Sequence, residues 1–448
     1  MPPQIALILF LAFISFIMYI DQKRTQLSGP IVWIIALWIL YSGSKGLGVF
    51  LNVHTTIEAG SPPDRYFQII IGLLSIFILI KRHFPISSTF KQNIYYFFIL
   101  FYFLLSVVWA RDPAISFRRW IREFIALLIV LLLISEKSPI KTLISAFRKA
   151  IYAALPLSLL LIKYFPIYGR EYGRWSGEVM WVGIAHQKND LAMLCAISIL
   201  FLAWTLLKNF KEWKKLNYKM PVFVDIFMFF LAIYLMLGPK RTFNYSATST
   251  LSLIVGLVFM GYFKTASNKG VDIKNKIVIS AIIIILIGTI FPFSGKIPIK
   301  TLPGLFNRTE TLTGRTEIWK SLVPYAKKNI LLGYGYGGFW TTSLRNLIAS
   351  HAHNGYLDTI LNLGLIGLIF FIIYILNLLK KNVNFLDEEN QIPCFFLALI
   401  FMVLVRNIAE SPLAEFTSYS MWLILAWSFI INENDGLNKM ESSFNWLQ

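Results

Sequence analysis

Charged side chains are scarce. Asp, Glu, Lys and Arg make up 15% of the chain, against roughly a quarter in a soluble globular domain, which excludes a conventional water-solvated globule. Acidic residues are the scarcer sign, 23 against 42 basic ones, for a formal net charge of +19. Cysteine occurs only as Cys195 and Cys394, both inside apolar runs, where a structural disulfide is not expected and a thiol acts as a small apolar group. No segment repeats with a period of 20–50 residues and no tract is of low complexity, so a solenoid is excluded. The positive charges are dispersed over connecting segments without a recognised nucleic-acid module, which removes nucleic acid as a partner.

Apolar length is what the chain has in abundance. Hydrophobic residues make up 56% of it, with runs at 4–20, 31–50, 67–80, 94–110, 121–134, 146–163, 190–207, 221–238, 242–262, 277–291, 355–377, 392–405 and 416–431. About 20 apolar residues cross a ~30 Å hydrocarbon layer as a helix. The expected fold is therefore all-α, a polytopic transmembrane helical bundle of about 12–13 spans in a single membrane-embedded domain over 1–448. The first run has no cation before it and no small-residue cleavage site after it, so it reads as a retained helix. One connection departs from the pattern. Residues 292–353 turn to Gly, Pro, Thr and aromatics, a loop too long for a passive link. Within it Thr316 is the expected N-cap of a helix over 317–328. The run GYGYGGFW, Gly333 to Trp340, reads as a turn of close backbone approach with aromatic faces for stacking on sugars; an interfacial aromatic belt is the competing reading.

Two lysine clusters, Lys208, Lys211, Lys214, Lys215 and Lys219, then Lys264, Lys269, Lys274 and Lys276, mark their connections as cytoplasmic. Alternation then places 51–66, 111–120, 164–189, 239–241, 292–353 and 406–415 on the outer face. Thirteen spans put the N-terminus outside and twelve put it inside. Twelve of the fifteen arginines fall outside, Arg24, Arg82 and Arg148 being the exceptions. Lysine is a point charge suited to a collar on anionic lipid heads, whereas the arginine fork suits a bound phosphate. Snorkelling to headgroups is the plainer account of any single arginine.

Histidine occurs five times, and two of the five stand at the mouth of a span in HAHNGYLDTILNLGLIGL, His351 to Leu368. Four outer groups are candidates to converge if the helices bundle: His351, His353 and Asn354; Arg315 in GRTEIW; Lys240 and Arg241 in the hairpin LGPKRTF; and Arg174, His186 and Asn189 in REYGRWSGEVMWVGIAHQKND. An imidazole near its ordinary pKa accepts a proton from an attacking hydroxyl. Arginines neutralise a phosphate leaving group without a metal. Together these fit transfer from a lipid-linked sugar diphosphate onto a hydroxyl acceptor, the competing account of His353 being a helix-terminal residue bonded to backbone. Two histidines alone fall short of a metal site, which wants three or four ligands, and no outer Asp-x-Asp pair is present to hold a cation; no metal or cofactor is expected. A flippase or other transporter of lipid-linked glycan is the alternative function, disfavoured by charge-poor span centres and the lack of internal repeats.

At these residues the chain resembles the O-antigen ligase and polymerase superfamily, especially its exopolysaccharide-polymerase-like branch. The ligase signature is His, then Asn, Ser or Gln, nine residues, and Gly-x-x-Gly; here His353-Asn354 is followed by nine residues and Gly364-Leu-Ile-Gly367. GRTEIW and LGPKRT are similar to the family's two arginine motifs, and EAGSPPDR (58–65), WARDPAISFRRW (109–120), GRWSG…HQKND (173–190) and RNIAES (406–411) resemble the exopolysaccharide branch. The resemblance implies a GT-C-like, metal-free, inverting glycosyltransferase of the bacterial inner membrane, working at its periplasmic face. Its donor would be an undecaprenyl-diphosphate glycan, its acceptor a glycan or lipid A-core, and a polymerase would add a chain-length regulator as partner. His353 would be the base or acceptor-positioning group, with His351 the rival imidazole. Arg241 and Arg315 would bind the diphosphate, and Lys240, Arg174, Asn189, His186 and Asn354 would line the substrate site.

Overall fold

Each of the thirteen apolar runs carries a helix over much of its length. In chain order the helices are α1 (Pro3–Thr25), α2 (Pro30–Ser42), α3 (Pro62–Lys81), α4 (Ile94–Leu105), α5 (Pro113–Ile134), α6 (Pro139–Tyr164), α7 (Lys188–Glu212), α8 (Met220–Leu237), α9 (Ala247–Asn268), α10 (Lys274–Ile290), α11 (Glu310–Lys328), α12 (Gly355–Asn384), α13 (Ile392–Arg406) and α14 (Tyr419–Asn432). Only α11 belongs to a connection rather than an apolar run. A two-stranded antiparallel hairpin, β1 (Arg170–Tyr172) with β2 (Val179–Trp181), precedes α7. The computed structural model describes residues 1–25, 29–53, 60–173, 177–212, 219–268, 273–294, 310–386, 392–411 and 413–433.

Eight helices are long and apolar enough to cross a membrane by length and composition: α1, α3, α6, α7, α8, α9, α10 and α12. A ninth span arises if Ile86–Gln92 and the helix ending at Trp109, bent by 95°, count as one. Helix α5 has the length, but Arg118, Arg119, Arg122 and Glu123 load its first half. Helices α2, α13 and α14 are shorter, 13, 15 and 14 residues, about 20 Å each at 1.5 Å per residue. Nearly all of α13 and α14 is buried, so neighbouring helices rather than lipid cover them, and the lipid thickness does not set their length. The expectation of an all-α polytopic membrane bundle is borne out. Its apolar outer faces agree: Leu7, Ile8 and Leu11 of α1, Ile70, Leu73 and Phe77 of α3, and Ile283, Leu286 and Ile287 of α10 are all exposed. In water such faces would be an association liability; in a bilayer they meet their solvent.

The core is α6 and α7, each 78% buried along its most apolar stretch, together with α13 and α14, while α1 is 17% buried at the periphery. Connections gather at two ends. One end joins Arg82 to Ser135 and Glu136, Lys381 to Asn432, and Asn432 to Asn93. Close by, α1, α6 and α8 share a buried ion network. Arg24 meets Asp225 at 2.8 Å, Arg148 meets Asp21 at 3.5 Å, Lys149 also holds Asp21, and the Tyr152 hydroxyl donates to Asp225. The other end collects the arginine-rich connections: Arg111 N–H donates to the Tyr334 carbonyl, Arg119 to that of Gly337, and Lys45 N–H to that of Ile184.

Two local expectations need correction. Thr316 is not an N-cap, because α11 already begins at Glu310; starting earlier puts Arg315 and Trp319 one turn apart on one face, where both find partners. The run 31–50 is not one helix either, since α2 stops at Gly43 and a separate turn spans Leu47–Phe50.

Candidate active site

The two-glycine signature explains how the histidines are held. Gly364 interrupts α12 at φ +68°, a left-handed conformation that glycine adopts freely. A Cβ there would sit 2.0 Å from the Leu331 carbonyl oxygen. The break lets the connection dock: Leu365 N–H donates to the Ile330 carbonyl at 2.8 Å, and Tyr334 N–H donates to that of Leu361 at 2.9 Å. The glycines therefore clamp the loop carrying α11 onto α12. At the head of α12, Asn354 is the N-cap, its Oδ1 accepting from Leu357 N–H at 2.7 Å and its Nδ2 donating to the Gly288 and Ile408 carbonyls. It is fully buried and serves to join three segments. His353, just before it, takes φ +50°, a conformation costly for a residue with a side chain. The turn between the histidines is tied from both sides: Ala352 N–H donates to the Asp358 carboxylate, and the Ala352 carbonyl accepts from Trp319 Nε1 at 2.8 Å.

A carboxylate that was not singled out from sequence stands at the centre. Glu410 is fully buried. Its Oε1 accepts from Arg315 Nη2 at 2.8 Å and from Asn189 Nδ2 at 2.7 Å. Its Oε2 faces His353 Nδ1 at 3.6 Å and His351 Nε2 at 3.7 Å, ion-pair rather than hydrogen-bond distances. The imidazoles lie 4.0 Å apart, centre to centre. Asn189 is held in turn by Ser246, whose hydroxyl donates to its Oδ1 at 3.0 Å. Three chain regions far apart in sequence thus meet on one buried anion.

The electrostatics divide the two imidazoles. Burial alone would raise Glu410, but both histidines, Arg315 and Arg406 reverse it and hold the carboxyl well below its usual range. Burial pulls His353 down, and His351 and Arg315 add to that more than Glu410 offsets, so its pKa is lowered. Burial works against His351 too, but Glu410 and Asp358 outweigh it and the pKa is raised. His353 is thus the neutral imidazole at pH 7, with a free Nε2 if its Nδ1–H points at Glu410, and His351 is the one that charges first. By spacing, the donor atoms of His351, His353 and Glu410, within 4.8 Å of one another, also form a grouping that suits a metal ion. A cation there would share its carboxylate with the Arg315 guanidinium, which argues against it on charge.

Of the remaining expected residues, Lys240 and Arg241 stay at the rim. Lys240 pairs with Glu178 at 2.5 Å on the surface, and Arg241, at φ +52°, sits 5.9 Å from the Tyr234 ring. Their hairpin leads to Ser246 and so to Asn189. His186 instead lines a cavity together with Arg118, Arg119 and Arg122. Arg174 lies outside the described residues, as does 295–309 of the long connection.

Residues 179–372 match the O-antigen ligase family. The exopolysaccharide production protein ExoQ of Rhizobium meliloti (strain 1021) is 22% identical over 306 residues, 64% of this chain and 65% of that protein. Over this central part the chain is similar to the O-antigen ligase and polymerase superfamily. An uncharacterized protein of Haemophilus influenzae is 26% identical over 375 residues, 75% of this chain and 85% of that one. The match to the rhizobial relative stops just short of two thirds of its length. No solved structure matches the chain. The matched segment contains Asn189, Arg241, Arg315, His351 and His353 and ends before Glu410. That acid falls in RNIAES, whose resemblance to the exopolysaccharide branch was the one signal that pointed to it.

Proposed function

We propose that the protein is a membrane glycosyltransferase that moves glycan from an undecaprenyl-diphosphate donor to a hydroxyl acceptor at the outer, periplasmic face of the bacterial inner membrane. It would act as a polysaccharide polymerase or ligase in cell-surface polysaccharide assembly. The observation that carries this reading is the Glu410 carboxylate facing both imidazoles at the mouth of α12, with Arg315 on its other oxygen. In this reading 1–448 is one GT-C-like domain, and its loop 292–353 supplies part of the site.

The acceptor hydroxyl attacks the anomeric carbon of the donor sugar. Its proton passes to His353 Nε2, and the imidazolium so formed is stabilised by Glu410. The bond from the anomeric carbon to the diphosphate oxygen breaks, its electron pair leaving with undecaprenyl diphosphate, so one displacement inverts the centre. Arg241, at the exposed rim, meets the departing diphosphate, with Lys240 beside it. Arg315 fixes Glu410 through Nη2 and has further donors to turn to substrate. Charge stabilisation by guanidinium groups makes a metal unnecessary.

The test is a purified-protein assay with undecaprenyl-diphosphate oligosaccharide, with and without chelator. Product should form equally in both, and His353→Ala should abolish it at unchanged protein level. Full activity in His353→Ala refutes the base assignment, and loss of activity with chelator refutes the metal-free step. Laddered products without any lipid A-core assign the polymerase.

A further inference from the structure

Two motifs that resemble the exopolysaccharide branch take no part in the Glu410 cluster, yet they converge in space with the third, which supplies Asn189 to it. EAGSPPDR contributes Asp64 and Arg65, WARDPAISFRRW contributes Arg118 and Arg119, and the segment before α7 contributes His186. With Arg122, one turn after Arg118, they line a cavity of about 310 Å³. Asp64, whose carboxylate accepts from the backbone N–H groups of Leu47 and Gly48 at 2.8 and 3.2 Å, sets one negative charge against the four arginines of the lining. Arg119 holds the Gly337 carbonyl and so fixes the wall. Arg122 is exposed and makes no hydrogen bond or ion pair among the described residues. Cations thus outnumber the single carboxylate around an open polar space.

The cavity continues. A second lobe of about 220 Å³ shares Arg122 and His186 with the first and reaches Asp190 and Arg406. Arg406 Nη2 lies 3.1 Å from Asp190, and both groups are near enough to the histidine–Glu410 cluster to act on its charges. A head group seated among the α5 arginines would therefore extend toward the imidazoles by way of Asp190 and Arg406.

We propose that this arginine cavity is a second anion seat, which takes the phosphate or diphosphate of a second lipid-linked substrate and presents its glycan to the Glu410 cluster. The inference rests on the glycosyltransferase reading for its substrate class. A transfer between two lipid-linked glycans needs two phosphate seats on one face, and arginine forks bind such groups by paired, charge-assisted hydrogen bonds.

The full-length protein in phosphatidylcholine nanodiscs is titrated with undecaprenyl diphosphate as the probe. The wild type should bind two equivalents. Arg118→Gln with Arg122→Gln should weaken one of them about tenfold or more at an unchanged melting temperature, while Arg241→Gln weakens the other. The charge-keeping Arg122→Lys should recover part of the loss. A single equivalent in the wild type, or unchanged binding in the double variant, overturns the proposal. Equal displacement of the probe by phosphatidylglycerol also overturns it, since the cavity would then be a general headgroup contact. Because the readout is binding, it is independent of turnover: two seats without product would sink the transferase reading and leave the anion seat standing.

Discussion

Replacing Glu410 by Gln tests the centre of the site with little change of shape. The amide oxygen can still accept from Arg315 and Asn189, so the anchor on Oε1 survives; what disappears is the negative charge 3.6 Å from His353 Nδ1. That charge matters most when His353 has taken the acceptor proton. A unit charge pair at this distance is worth about 4–5 kcal/mol at an effective dielectric of ~20. His353 is 24% exposed, and solvent at that edge trims the value to roughly 3–4 kcal/mol. The turnover rate should therefore fall by about 10²–10³-fold at ~1.4 kcal/mol per decade, with a small change in KM. The pH profile gives a second, independent reading. His353 works as the neutral base and its pKa is lowered, so wild-type activity should climb with pH through a value below the usual 6.5 and level off before neutrality. Without the carboxylate, His353 is harder to protonate, so this limb should move to lower pH while the plateau drops. Misfolding would lower the plateau without moving the limb. Wild-type turnover in Glu410→Gln, or a limb that moves to higher pH, refutes the role of Glu410.

His351→Ala removes the neighbour that helps lower His353, so the acid limb of its rate profile should shift to higher pH while activity is retained at alkaline pH; a profile unchanged in position would show the imidazoles are not coupled. Gly364→Ala should destabilise the fold by at least roughly 1–3 kcal/mol for the left-handed backbone, and more for the clash with Leu331, read as a lower melting temperature in detergent. Asp225→Ala strips the buried Arg24 of its ion-pair partner and leaves Arg148 with Asp21 alone and should cost about 3–5 kcal/mol, seen as poor yield and early unfolding, with near-normal turnover per folded molecule. For Glu410 the folded pKa is depressed, so its contribution to stability is present above the ordinary carboxylate pKa and is lost as pH falls through the folded value. Acid unfolding of the wild type should therefore be steeper below about pH 4 than that of Glu410→Gln.

The sequence carried the helices well because apolar runs have one cheap solution in lipid, in which every backbone group bonds within its own segment. All thirteen runs carry a helix, though 31–50 breaks at Gly43, and the shortness of 392–405 and 416–431, a weakness in hydropathy, follows from their burial. Boundaries were harder. Thr316 has the chemistry of a cap, yet the partners of Arg315 and Trp319 lie on another helix and in another loop, and no local signal reports them. The site was legible in its cations and imidazoles, since ionisable groups beside a span are few and costly. It was not legible in its anion. Glu410 is one acid among 23, and only the fold shows that it faces Arg315, His351, His353 and Asn189 together.

That missing anion alters what the arginines are for. An outer surface rich in arginine reads from sequence as one field for one diphosphate, but the structure separates two kinds of guanidinium. Arg315 is bonded to Glu410 and nine-tenths out of solvent, with a side-chain exposure of 13%, so removing it strands a buried carboxylate as well as any substrate contact. Arg241 is exposed on a strained hairpin, with no carboxylate held against it by an ion pair among the described residues. Its removal costs the fold little and the leaving group much. Substitution should separate the two. Arg315→Gln should lower both stability and turnover and shift the His353 limb to higher pH, since Arg315 is one of the groups that lower that imidazole. Arg241→Gln should reduce turnover, through the lost charge on the departing diphosphate, with the limb and the melting temperature unmoved. Matching pH profiles and melting temperatures for the two variants would mean that both arginines serve the diphosphate alone, and that the contact between Arg315 and Glu410 does not set the chemistry of the histidines.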